Sequence, residues 1–183
     1  MSEAVGASLE TSAARQRYVS TAFRSASSSD RAGACSRVAL DRVGLMNTAE
    51  NKRLMQQIFR ELAKGNSEPF RDAMADDFCW TVIGTTSWSG TYAGKQAVLS
   101  ELFGPLFSQF ADRYTNTADR FIAEGDHVVV QCRGHVTTKA GKPYDNTYCY
   151  VCRLGDGKLR ELTEYCDTQL IATALGPAGV REQ

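Results

Sequence analysis

The sequence has no surplus of either charge: 21 Lys and Arg stand against 21 Asp and Glu. With no basic excess to displace counterions, a nucleic-acid backbone is not an expected partner. No apolar run approaches the roughly 20 residues of a membrane-spanning helix, so no membrane partner is expected either. There is no GxGxxG, no phosphate loop and no metal-ligand cluster, and no cofactor is expected. Histidine is scarce, with only His127 and His135. Cysteine is present six times but scattered, with no secretory signal before it, which points to a reduced, cytoplasmic setting. Cys149 and Cys152 have redox or zinc spacing. They fall in the strand-like run TYCYVCR, where residues three apart face opposite sides, and they read as small buried hydrophobes.

Large apolar residues are also few in residues 1–45. The segment SAARQRYVSTAFRSASSSDRAGACSR is rich in Ser, Ala and Arg and has no Lys. It cannot bury enough surface to offset its ordering entropy, so a disordered extension is expected. Transit peptides share this composition, and Met46 is an alternative start. The domain is expected over residues 46–175, with residues 176–183 a flexible tail.

From Met46 the punctuation is regular. Asn47-Thr48-Ala49-Glu50 has the spacing of a capping box, and Leu54, Met55, Ile58, Phe59 and Leu62 repeat at helical period until Gly65-Asn66. Ser67 and Pro69 open a second short helix with Phe70, Met74 and Phe78 on its apolar face. Asp76-Asp77 would end it. FCWTVI reads as a short strand and GTTSWSGTYAG as a loop. A third helix from about Lys95 carries Val98, Leu102, Leu106 and Phe110, and Gly104-Pro105 should kink or split it. HVVVQCRGHVTT, NTYCYVCRL and KLRELTEYCDT are three strands joined by glycine turns. Helices followed by an antiparallel sheet define an α+β fold. A curled sheet under helices encloses an apolar pocket.

Three segments carry a resemblance: ELAKGNSEPFRDAMADDFCW, WSGTYAGKQAV and YDNTYCYVCRLGDGKLRELTEYCDTQL. Together they make residues 46 to about 175 resemble the nuclear transport factor 2-like superfamily, in its ketosteroid isomerase-related, SnoaL-like branch. The resemblance implies a cone-shaped, curved antiparallel sheet on about three N-terminal helices, an apolar pocket and a homodimer. It does not settle chemistry, because isomerases, cyclases, dehydratases, epoxide hydrolases and binders share the scaffold. The isomerase base position falls near Val82, its oxyanion Asp near Cys149 and its Tyr near Ile58 or Phe59, so that mechanism is disfavoured. The limonene-epoxide hydrolase type resembles the chain more closely in Arg133 and Glu164, with His135 where that type has an acid.

If Glu164 faces the concavity with Arg133 and His135, which share one strand face, the three form an acid–base set. Arg133 would hold the Glu164 carboxylate, Glu164 would move a proton, and His135 would handle the second. A structural Arg133–Glu164 ion pair is the competing reading. Glu161 falls on the opposite face, Asp167 at the strand end as a cap, and His127 at an exposed turn. Trp80, Tyr148, Phe59 and Trp88 are the expected ligand contacts, with Trp88 a lid over the mouth. Tyr148 and Tyr150 share a face. Outside, it is a dimer surface; inside, Tyr148 donates to a ligand. Three functions compete: an acid–base enzyme on a small apolar molecule, a non-catalytic binder with the same pocket, and a dimerisation module.

Overall fold

The computed structural model describes residues 47–178; the expected extension and the end of the chain from 179 lie outside the described residues. Helix α1, Thr48–Leu62, begins at the expected capping box: the Asn47 side chain accepts from the Glu50 amide, and the Glu50 carboxylate accepts from the Asn47 amide. Its apolar stripe, with Met55, Ile58 and Phe59, is buried. After the stop at Gly65, where φ is +77°, comes α2, Glu68–Ala73.

Strand β1 then runs Met74–Val82, earlier than expected. Met74 and Phe78 are buried from the strand, not from a helix. A spacing of four suits one face of either element, so the pair could not decide between them. Asp76 and Asp77 are exposed on this strand, near its register shift. β2, Gly90–Ala93, lies inside what reads as a loop.

The third helical stretch is α3, Lys95–Ala97, a π-helical segment, Val98–Phe103, and α4, Gly104–Phe107. The Gly104 amide donates to Leu99, five residues back, just before Pro105, which has no amide to give. The expected irregularity at Gly104-Pro105 is therefore a widened turn. Phe110 lies beyond the helix, bridged to Thr138.

Strands β3, Thr115–Glu124, β4, His127–His135, β5, Thr147–Gly155, and β6, Lys158–Cys166, follow, and α5, Thr168–Ala174, closes the domain. Asp167 is the N-cap of α5, accepting from the Gln169 and Leu170 amides. The six-stranded sheet has the order β2-β1-β6-β5-β4-β3 and does not close. It is α+β and curved, as expected, with register shifts in the β1–β6, β3–β4 and β5–β6 pairs. One pair departs from the antiparallel expectation: β1 runs parallel to β6. The last bulge falls between Arg153 and Leu154, so Leu159 and Leu162 both turn inward although they are three apart.

The core fills the concave side. Phe59 packs edge-on against Phe121 at 5.7 Å and leans on Tyr150. Beyond α5 the backbone is tied down: the Trp88 indole donates to the Gly176 carbonyl, and the Ala178 amide to Ser87. The five described cysteines are free, and Cys149 and Cys152 lie on opposite faces of β5. Among the described residues, no helix is long and apolar enough to cross a membrane.

Candidate functional site

Strand parity decides which side chains reach the interior. On β4 the buried row is Val128, Val130, Cys132 and Gly134; Gln131, Arg133 and His135 form the exposed row. On β5 the buried row is Tyr148, Tyr150, Cys152 and Leu154, which answers the open question about the two tyrosines. On β6 the inward residues are Leu159, Leu162 and Glu164. Tyr150 and Glu164 are direct cross-strand partners, so a phenol and a carboxyl stand side by side on one wall.

These rows, with the helices across from them, enclose a cavity of about 290 Å³. This is at the small end of the roughly 300–1,000 Å³ range of small-molecule pockets, a size for one or two rings. Phe70, Val82, Phe103 and Phe107 supply apolar wall, and Tyr114, Tyr144, Tyr148 and Tyr150 bring hydroxyls.

Glu164 is the buried acid of this wall, 7% exposed. The Trp80 indole N–H donates to its Oε2 at 2.9 Å. Burial pushes the carboxyl up to about 7, against the Trp80 indole and the Cys166 thiol, which both favour the ionised form. Burial also holds the phenols neutral: Tyr144 is pushed up to about 12, and Tyr148 and Tyr150 well above the usual range. Only Glu164 among these groups therefore changes charge near neutral pH.

The expected trio does not assemble. Arg133 grips Asp119 with two hydrogen bonds, Nε to Oδ2 at 3.0 Å and Nη2 to Oδ1 at 2.8 Å, with 66% of its side chain exposed. His135 Nδ1 lies 2.7 Å from Asp145 Oδ1, with 73% of its side chain exposed. The residue between them, Gly134, is the one that faces inward. Arg133 thus gives Glu164 no ion pair. Substituting Arg133 or His135 with Ala should leave ligand affinity within about twofold and the melting temperature within about 2 °C, because exposed pairs contribute little. Thermal unfolding and a binding titration check this.

Of the expected ligand contacts, Trp80, Tyr148 and Trp88 line the cavity. Trp88 is 3% exposed and fastened to Gly176, a fixed wall in place of the expected lid. Phe59 is core behind Tyr150, outside the cavity lining. Glu161 is exposed and paired with Arg153, and His127 is exposed beside Asp126. Sequence reading missed Asn116, Tyr114 and Tyr144, which all line the cavity. The signal for Asn116 was weak, because the bulge after Ala118 breaks the alternation of β3. Among the described residues no group of three or more His, Cys, Asp or Glu side chains is placed to hold a metal ion.

A curved open sheet with helices over an aromatic cavity is the nuclear transport factor 2-like fold. Within it, the chain belongs to the SnoaL-like domain family, whose model matches residues 55–162, more than half of the sequence. Solved structures share the fold. An NTF2-like protein from Burkholderia thailandensis E264 is 23% identical, with 69% of this chain and 98% of that chain covered and a TM-score of 0.60. A putative SnoaL-like polyketide cyclase from Jannaschia sp. CCS1 is 20% identical, covering 69% and 92%, at 0.58. TerC, co-crystallised with polyporic acid, is 20% identical, covering 68% and 96%, also at 0.58. Identities of this order establish a common fold. No match is found among curated proteins.

Proposed function

We propose that the cavity performs cofactor-independent acid–base chemistry on a small, largely apolar molecule, with Glu164 carrying the proton. One observation carries this reading: a carboxyl is buried in an apolar wall and held by Trp80, with its pKa raised to about 7. A group titrating near the working pH serves equally as acid and as base. Above that pH the carboxylate can take a proton from a carbon or from water. Below it, the acid can give one to a developing oxyanion. In isomerisation or cyclisation the proton that Glu164 takes from one atom of the substrate is returned to another. In dehydration it goes to the departing hydroxide, and in hydrolysis it comes from the attacking water and goes to the leaving oxygen. The similarity to a putative polyketide cyclase and to a protein crystallised with a small molecule supports the pocket's use for small ligands. The test is turnover of a panel of one- and two-ring ketones, enols and epoxides by wild type and Glu164→Gln. A substrate turned over equally well by both proteins would end the proposal.

A second reading, a binder without chemistry, draws on a different observation: Arg133 and His135 lie outside, so Glu164 has no cationic partner of theirs in the cavity. Ligand binding unaccompanied by conversion throughout the panel supports it. The free cysteines fit a reducing, cytoplasmic setting.

The exposure of two large apolar side chains, Tyr165 on β6 at 48% and Ile122 on β3 at 54%, supports a homodimer. Sedimentation velocity of the whole chain should show a dimer, and Tyr165→Lys should shift it toward monomer. A wild-type monomer would rule the dimer out.

A further inference from the structure

Asn116, the second residue of β3, is 2% exposed and lines the cavity. Its Nδ2 donates to the Tyr114 hydroxyl at 3.2 Å and to the Tyr150 hydroxyl at 3.5 Å. Its Oδ1 is buried with no hydrogen-bond partner. A buried amide oxygen left unpaired carries its full desolvation penalty, so such a group calls for a partner. The nearby Cys132 thiol is no substitute: its contact with Asn116 favours the thiolate, as an amide N–H facing the sulfur does, and gives nothing to Oδ1. Turning the amide by half a rotation exchanges the roles without removing the problem. The oxygen then takes the two phenol protons, and the NH2 is left over.

The surroundings are built to hold this amide at the wall. Gly134 is the cross-strand partner of Asn116 on β4. A Cβ at Gly134 would collide with the Tyr114 hydroxyl and stand 2.8 Å from Cε2 of that ring. Lacking one, Gly134 lets the Tyr114 ring lie over the strand and bring its hydroxyl to Asn116. Tyr150 accepts from Asn116, which leaves its own O–H for another acceptor. Its ring sits 5.8 Å from Trp80, the residue that holds Glu164.

We propose that Asn116, with the Tyr114 and Tyr150 hydroxyls, forms a recognition site for a hydroxyl borne by a flat apolar ring, so that the ligand is a phenol or an enol. A hydroxyl both donates and accepts. It gives its proton to Asn116 Oδ1 and takes one from Tyr150, and it satisfies the amide in either orientation. A ketone only accepts, and a hydrocarbon does neither. The walls take the ring, and Tyr150, which gives its proton to the hydroxyl, is the cross-strand partner of Glu164. This is a binding site whether or not Glu164 moves a proton; it names the ligand class for the acid–base reading without resting on it.

The test is equilibrium dialysis of the full chain against 2-naphthol and 2-methylnaphthalene, which differ by a hydroxyl in place of a methyl. A cavity that reads only apolar surface holds the methyl compound more tightly. The recognition site reverses that order, with 2-naphthol bound at least about tenfold tighter. Asn116→Leu should abolish the preference, Tyr150→Phe should weaken it, and Glu164→Gln should leave it in place. Should Asn116→Leu fail to fold, the wild-type comparison still decides. Equal or tighter binding of the hydrocarbon overturns the proposal, as does failure of both probes to bind. A preference that survives Asn116→Leu, or one that vanishes only in Glu164→Gln, overturns it too. An inactive Glu164→Gln protein that keeps the preference, or a chain with no turnover at all that keeps it, bears on the acid–base reading alone.

Discussion

Glu164→Gln should be more stable than the wild type above pH 7 and should lose turnover. The folded carboxyl titrates at about 7 against an ordinary 4.5, so the folded state holds this proton more tightly than the unfolded chain does. The stability this confers is fully present below pH 4.5. It is lost as pH rises through about 7, where the folded protein must ionise a buried acid. The rise from 4.5 to about 7 corresponds to on the order of 3 kcal/mol across that window. Glutamine keeps the shape and an acceptor for the Trp80 N–H but cannot ionise. Denaturant melts from pH 5 to 8 should show wild-type stability falling and the variant flat, with the variant ahead by up to about 3 kcal/mol at pH 8. A flat wild-type profile would mean that Glu164 is not held as described. On any substrate found, the same change should reduce kcat by about 100- to 10,000-fold, the span of a lost general acid or base. The two effects have opposite signs, so lost activity could not be blamed on poor folding.

Trp80 should give the largest structural effect. Its indole meets Phe70, Phe78, Phe103 and Tyr150 edge-on, with ring centroids 5.3–6.2 Å apart, and its N–H holds Glu164. Trp80→Ala should cost about 3–5 kcal/mol, since it empties a packed aromatic junction and strips the acid of a donor. Trp80→Phe separates the two roles. It keeps most of the packing and removes the N–H. Without that donor the carboxyl should titrate higher than in the wild type, and the midpoint of the activity and stability profiles should move to higher pH. An unmoved midpoint would show that the indole does not set the acid's pKa.

Where the chain signalled its structure locally, it was legible. The capping box and the stripe from Leu54 to Leu62 specify α1 through contacts at most four residues apart. The runs of β4, β5 and β6 alternate clearly enough to be read, and the inward turn of Glu164 follows from its spacing of two from Leu162. Bulges are different. The shift near Ala118 changes which residues of β3 face inward, so neither the strand nor Asn116 stood out. Arg133 and His135 were misplaced for another reason. Their shared face was read correctly, but chemistry was allowed to choose its direction. Gln131 on the same row already marked that face as the wet one, and Gly134 offered no bulk to suggest an inner wall. Asn116, Tyr114 and Tyr150 are brought together by pairing between strands, which no window along the sequence contains.

That same long-range pairing imposes an order on the birth of the protein. The hydrogen bond from Trp80 to Glu164 spans 84 residues, and β6 lies between β1 and β5. A chain emerging from a ribosome has made both of those strands before β6 exists. Each then waits with an unpaired edge, and the aromatic hollow stays open on one side. Contacts of this reach slow folding, and edges left bare in the meantime invite aggregation. The glycine turn at 155–157 keeps the wait of β5 short, since it returns the chain at once into the gap, whereas β1 waits through the whole of the intervening chain. The acid therefore enters the cavity wall late, followed only by Ile171 and Leu175 from α5 and its end, and nascent protein carries no finished site until the sheet has been sealed.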